Sequence, residues 1–351
     1  MSLIPATILT GFLGSGKTTL LKRVLQEAHG QKIAVIENEF GEENIDSDIL
    51  VSDTKEQIIQ MSNGCICCSI REDLRATLRD LAEKKRKGEL DFERVVIETT
   101  GVADPGPVAQ TFFMDDEVAE SYLLDSILTL VDAKHAPSQL NERQEARRQV
   151  GFADQIFISK SDLVSAEELE ALTHRIKHMN PRAPQKAVHF GEVALNDVFD
   201  LRGFNLNAKL DIDPDFLKEE GHEHHDHAEG EHCDHPSHAH DHGAGHHHHV
   251  DDDVKSFVFK SNRPFDAAKL EDFLGAIVNV YGPRMLRYKG VLYMKGTDRK
   301  VIFQGVHQLM GSDLGPAWAE GETRCNKMVF IGIDLPKDIF LQGMEQSLVD
   351  A

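Results

Sequence analysis

The run Gly11-Phe12-Leu13-Gly14-Ser15-Gly16-Lys17-Thr18 has the spacing of a phosphate-binding loop: Gly, four residues, then Gly-Lys-Thr. Glycines let successive backbone N–H groups converge on phosphate oxygens at a helix N-terminus, where the dipole favours negative charge. Lys17 is expected to reach the terminal phosphates and the Thr18 hydroxyl to ligate Mg²⁺, with Gly11, Gly14, Ser15, Gly16 and Thr19 completing the cradle. An apolar run precedes the loop and a helical pattern follows it, as the motif requires. A nucleoside triphosphate is the expected ligand.

Two later segments bear on which triphosphate and how it is cleaved. Residues 94–98 form a β-rich run ending in Glu98, with Gly101 three positions on. A carboxylate at a strand end can stand near the Mg²⁺ shell, and a Gly N–H can sense the terminal phosphate. After the β-rich run 155–159 comes Lys160-Ser161-Asp162. The Asp162 carboxylate can accept from both guanine N1–H and N2–H₂ while the Lys160 stem covers the ring; adenine offers no such donor pair. GTP is therefore expected, although Ser159 stands where GTPases usually carry Asn. No glutamine follows Gly101 to orient a water and no arginine finger stands out, so intrinsic hydrolysis is expected to be slow; Glu39 and Asp46 are open as positioning groups.

A different chemistry is written in Asn63-Gly64-Cys65-Ile66-Cys67-Cys68. Thiolates one and two positions apart on a turn can converge on a borderline or soft cation, with a carboxylate, His or water completing a tetrahedron. A redox dithiol is the competing reading. Thirteen of the nineteen histidines lie between His222 and His249, interspersed with acids and Cys233, a composition suited to collecting Zn²⁺, Ni²⁺, Cu²⁺ or Co²⁺. The isolated Cys325 reads as structural, Trp318 as packing of the second unit, and His29, His135, His174, His178, His189 and His307 as ordinary.

These groups need a scaffold. Up to about residue 205, β-rich runs at 4–9, 32–37, 94–98, 127–131, 155–159 and 187–190 alternate with amphipathic stretches at 17–28, 71–84 and 166–180. Such alternation predicts an α/β unit with a mostly parallel sheet covered on both faces. Residues 206–253 turn polar and His-rich, with too little apolar surface to offset ordering entropy, and read as a disordered linker. From 254 to 351 a smaller α+β unit is expected, one helix at 267–280 on an antiparallel sheet with strands at 255–259, 284–294, 301–308 and 327–334, and a short helix from 337.

Bulk properties narrow the partners. Asp and Glu outnumber Lys and Arg by 59 to 38, a net charge of −21, which disfavours nucleic acid and anionic membrane. No run is long and apolar enough to span a bilayer, no signal peptide is evident, and adjacent cysteines suit a reduced compartment, so the cytoplasm is expected.

Taken in order, Gly11–Thr18, Glu37-Asn38-Glu39-Phe40-Gly41 with Ile45-Asp46, Gly64–Cys68, Glu98–Gly101, Ser159–Asp162, the His-rich stretch and the last unit resemble the CobW-type metallochaperone GTPases, relatives of HypB and UreG. The resemblance covers nearly the whole chain. It implies that residues 37–46 form a first switch and Cys65–Cys68 a metal site between switches, with Cys65 and Cys67 carrying most weight as ligands, Cys68 less, and Glu37 and Glu42 as weaker oxygen candidates. It further implies a GTPase that delivers zinc, or cobalt for cobalamin synthesis, to a client metalloprotein docked on the C-terminal unit; a homodimer is compatible with it. Metal storage and redox sensing are the rival readings.

Overall fold

The computed structural model describes residues 3–27, 32–38, 57–61, 69–201, 203–204 and 252–350, with backbone only for 38, 57–61 and 69–72. Cys65, Cys67, Cys68, Glu42 and the stretch 205–251, where most of the linker is expected, lie outside the described residues.

The first unit is built on seven strands: β1 (Ile4–Gly11), β2 (Ile33–Asn38), β3 (Gln57–Met61), β4 (Arg94–Glu98), β5 (Tyr122–Asp132), β6 (Gln155–Ser159) and β7 (Gln185–Val188). Their order is β3-β2-β4-β1-β5-β6-β7 and every pairing is parallel. Both faces are covered, which is why β1, β4 and β6 are buried along almost their whole lengths. The edge strand β3 is an addition to the six strands expected. The last strand begins and ends two residues earlier than expected, because the chain turns out at Phe190 and Gly191, both at positive φ.

Helices α1 (Lys17–Glu27), α2 (Ser69–Lys87) and α7 (Ala166–Met179) match the amphipathic stretches. Four more were not legible: α3 (Pro105–Met114), α4 (Asp116–Ser121), α5 (Ala136–Glu142) and α6 (Gln144–Phe152). Helix α3 is apolar almost throughout and buries Pro105, Val108, Ala109 and Phe112, so it shows no polar face to mark a helical period. None of the described helices is long and apolar enough to cross a membrane.

The second unit is an antiparallel sheet of β8 (Val254–Ser261), β9 (Met285–Leu292), β10 (Arg299–Val306), β11 (Leu309–Ala317) and β12 (Asn326–Ile333), ordered β11-β10-β9-β12-β8. Side-chain alternation along it makes two faces. Phe257, Phe259 and Phe330 join α8 (Ala267–Tyr281) and α9 (Lys337–Gln346) in one core. Val258, Val329 and Ile331 point the other way and share a core with Val150 and Phe152 of α6. Trp318 is half-buried against Tyr293 and Lys300, as its packing role requires.

Charge is sealed inside this junction. Asp154, between α6 and β6, accepts from Arg287 of β9 at 2.9 Å, from Arg182 at 3.2 Å and from the Ile127 N–H at 3.0 Å. Burial lowers the Arg287 guanidinium to about 10 despite the Asp154 charge, and its flat face stacks 3.4 Å from the Phe204 ring centroid. Breaking such a pair from one side strands a buried cation. Asp154→Ala is expected to cost about 3–5 kcal/mol, read as a lowered urea midpoint.

Asp115 caps α4 through the Val118 N–H and accepts from Arg75 and Arg79 of α2, at 2.6 and 2.7 Å. Burial pushes its carboxyl up, but the Val118 N–H and the two guanidiniums outweigh that and hold it at about 2. Because the folded value lies below the unfolded one of about 4, the stability it contributes is present above pH ~4 and disappears as pH falls towards ~2. The urea-midpoint gap between the native chain and Asp115→Asn is therefore expected to be widest at neutral pH and to shrink below pH ~4.

Candidate functional site

All carboxyl ends of a parallel sheet lie on one edge, and the loops leaving that edge carry the sequence-predicted residues. Between β1 and α1 the chain turns through Gly11, Gly14 and Gly16 at φ of 144°, 73° and 99°, a backbone that side chains rarely adopt. A Cβ on Gly11 would lie 2.5 Å from the Leu130 carbonyl oxygen, so glycine is also required by space. Lys17 is buried and its ammonium donates to the Gly11 carbonyl oxygen at 2.9 Å, at the floor of the turn. Burial lowers its pKa, and the Glu98 carboxylate opposes the shift. A desolvated ammonium beside a ring of N–H groups is strongly attracted to phosphate.

Thr18 and Glu98, 80 residues apart in sequence, meet here: the Thr18 hydroxyl donates to Glu98 Oε1 at 3.1 Å. This pair of hard oxygens fits Mg²⁺, which prefers carboxylate, hydroxyl and water ligands. Glu37, buried at the end of β2, is aligned with Glu98 on β4 and with Gln60 on β3. Gly101 packs so tightly on the phosphate loop that a Cβ there would fall 2.6 Å from the Leu13 nitrogen.

On the other side of β1, Lys160 adopts a left-handed conformation (φ 55°) that folds its side chain over the loop. Its ammonium donates to Gly14 O at 2.9 Å and to Asp132 at 2.6 Å. Asp162 is exposed, with its carboxylate 3.6 Å from His189 Nδ1. Lys160 thus stands against the phosphate loop, with Asp162 two residues on. Ser159, where GTPases usually carry Asn, donates its hydroxyl to the Ser15 carbonyl oxygen at 2.7 Å and ties the two segments together.

Four residues at this edge escaped the sequence. Asp132 is buried at the end of β5; burial raises its carboxyl, but hydrogen bonds from Lys160 and His135 outweigh this and hold it below the usual range. Its signal was the one used for Glu98, an acid ending a β-rich run. Gln149 of α6 is buried and donates to the carbonyl oxygens of Gly101 and Ala103 at 3.1 and 3.0 Å. Asp104 caps α3 and accepts from Arg148 at 2.9 Å. Neither Gln149 nor Asp104 carried a local signal. His307, read as ordinary, crosses from the second unit: a Cβ on Gly106, in the first turn of α3, would lie 2.5 Å from its Nε2. Burial lowers the His307 pKa, with Asp104 opposing.

The chain was compared with known proteins. The family described as CobW/HypB/UreG, nucleotide-binding domain, matches residues 5–186, and the cobalamin synthesis protein cobW C-terminal domain matches residues 254–348. Zinc chaperone YjiA of Escherichia coli (strain K12) is 40% identical over 342 residues, 96% of each chain. Zinc chaperone CobW of Sinorhizobium sp is 29% identical over 358 residues, 94% of this chain and 93% of its own. The crystal structure of the Zn(II)-bound YjiA GTPase from E. coli matches with a TM-score of 0.75 at 33% identity, over 99% of this chain and 100% of the other. On the extent of these matches, this chain belongs to the CobW/HypB/UreG family of P-loop GTPases and carries its CobW-type C-terminal domain.

Proposed function

We propose that this protein is a GTP-binding and GTP-hydrolysing metallochaperone that takes up a transition metal, zinc foremost, at Cys65, Cys67 and Cys68 and releases it to a client metalloprotein. The observation that carries this reading is the register at the site edge. Glu37 on β2 is paired with Glu98 on β4 on one side and with Gln60 on β3 on the other. Residues 39–56 leave from the end of β2, and 62–68, with the three thiols, connect β3 to α2. Cys65 follows Met61 by four residues, a reach of at most about 14 Å, and Cys68 directly precedes α2. Groups that would hold the terminal phosphate and groups that would hold the metal therefore pull on segments rooted in adjacent strands.

In this reading Lys17 exchanges loop carbonyl oxygens for phosphate oxygens, and the backbone N–H groups of Gly14, Ser15 and Gly16 close around them. Mg²⁺, held by Thr18 with Glu98 nearby, would neutralise charge on the phosphates. Gly101 would offer its N–H to the terminal phosphate while Gln149 holds the opposite side of that peptide segment. Lys160 and Asp162 would select guanine. Once the terminal phosphate is lost, the two rooted segments relax and the thiolate site loosens. Such coupling is reciprocal, and ordinary allosteric values of about 1–3 kcal/mol correspond to about 5–150-fold in affinity.

Base selection is checked by Asp162→Asn. Losing the charged acceptor for two N–H donors is expected to weaken GTP and GDP binding by about 30–1000-fold in a fluorescent-nucleotide titration, with little change for ATP. The central linkage is checked by titrating Zn²⁺, then Co²⁺, with and without Mg²⁺·GTP. Zinc affinity is expected to rise at least fivefold with GTP in the native chain, and the rise to vanish in Cys65→Ala/Cys67→Ala and in Lys17→Ala. Equal affinity in the empty, GDP and GTP states would overturn the delivery mechanism.

A further inference from the structure

His174 and His178 stand one turn apart on the exposed face of α7, with their Nε2 atoms 3.3 Å apart and their rings 4.5 Å centroid to centroid. We propose that this pair is a second transition-metal site, a chelate on the protein surface built from residues other than the cysteines and indifferent to nucleotide.

The first argument is the bite. Zinc binds imidazole nitrogen at about 2.0–2.1 Å, and two such bonds at a tetrahedral angle put the nitrogens about 3.3–3.4 Å apart. The two Nε2 atoms already have that separation. With both rings neutral, one Nε2 donates and the other accepts; a cation between them, with the protons on Nδ1, satisfies both lone pairs at once.

The second argument is the scaffold, since a two-ligand chelate holds metal only if little freedom is lost on binding. Helix α7 starts with a reciprocal cap, Ser165 accepting from the Glu168 N–H and Glu168 from the Ser165 N–H. Leu172, Ile176 and Met179 bury its inner face. Between the two histidines Arg175 makes a two-pronged contact with Asp252, at 2.8 and 2.6 Å, and Ser256 donates to the His178 carbonyl oxygen at 2.7 Å. The turn that sets the His174–His178 spacing is thus clamped to the second unit.

The third argument is what surrounds the pair. Glu170, one turn before His174, shares a shallow surface groove with Thr173, His174 and Lys177. Its carboxylate offsets the repulsion of the Lys177 ammonium for an incoming cation. No group of three or more His, Cys, Asp or Glu is assembled among the described residues. The pair therefore supplies two nitrogens from one helix face. Chain connectivity puts this site beside the metal-collecting sequence: His249, the last histidine of the tract, precedes Asp252 by three residues, at most about 11 Å of chain, and Asp252 is the partner of Arg175. Ligand type and the general order of divalent affinities predict Cu²⁺ above Ni²⁺ and Zn²⁺.

The test uses the full-length chain with the histidines between His222 and His249 replaced by asparagine, so that the tract does not mask a weak site. Zn²⁺ and Cu²⁺ are titrated in competition with a chromophoric chelator, with and without Mg²⁺·GTP, before and after adding His174→Ala/His178→Ala. The double substitution is expected to remove one equivalent of each metal in both nucleotide conditions, and either single substitution to weaken that equivalent at least tenfold. Both positions are exposed and alanine favours helix, so unchanged circular dichroism and GTP affinity are expected alongside. Identical stoichiometry and affinities with and without the pair would overturn the proposal.

Discussion

Because every pairing in the seven-stranded sheet is parallel, all of its carboxyl ends open on one edge, and that single constraint organises the candidate site. The phosphate loop leaves β1, Glu98 ends β4, Glu37 lies near the end of β2, Asp132 ends β5 and Lys160 follows β6. Like charges would repel in such a crowd, so cations are interleaved with them. Lys17 lies near Glu98, Lys160 bridges Asp132 to Gly14, and Thr18 caps Glu98 with a hydroxyl. A site of this kind is held in balance by its own charges, and a polyanionic ligand would redistribute those contacts rather than add to them.

The second unit does not hang from the first. Its sheet closes over α6 with apolar side chains, and a buried Arg287–Asp154–Arg182 cluster fixes the register of the contact. Replacing such a cluster with hydrocarbon is often neutral in stability, so its physical effect here is to specify one docking orientation. That orientation brings His307 against the first turn of α3, immediately after Asp104. From Gly101 the path runs through Gln149 to the Ala103 carbonyl, next to Asp104 that caps α3, and from Gly106 of α3 to His307. Displacement of the Gly101 segment would therefore press on the second unit without any long-range field.

What the sequence made legible was what is local. The phosphate loop is set by glycine conformations within a few residues, the parallel sheet by apolar runs alternating with amphipathic ones, and the family by the order of several motifs together. Helix α3 was hidden because burial on most sides erased its polar face. Gln149 and Asp154 were hidden because their partners lie 27 and more residues away, at Ala103, Ile127, Arg182 and Arg287, and a glutamine or aspartate in isolation announces nothing. His174 and His178 carry a signal of a different kind. Their spacing of four was visible, but it acquires meaning only once the helix phase puts both rings on the outer face and the Arg175 contact fixes the turn between them.

Energetic scale links the metal sites to the switch. Full tetrahedral zinc sites in folding peptides are worth about 10–16 kcal/mol, far beyond what a nucleotide-driven change of about 1–3 kcal/mol can dislodge. A switch of that size governs release only where the cation is held by an incomplete or strained set. Three thiols in four residues, on a connection rooted at β3 and α2, would suit such a set in the proposed reading, because moving either root would spoil their convergence. A two-imidazole chelate on α7, as proposed, offers fewer ligands than three thiols and would sit lower still. Graded in this way, open nitrogen sites would load the protein from a dilute pool, and the thiolate loop would be the one place where the loss of a phosphate changes whether metal stays or leaves.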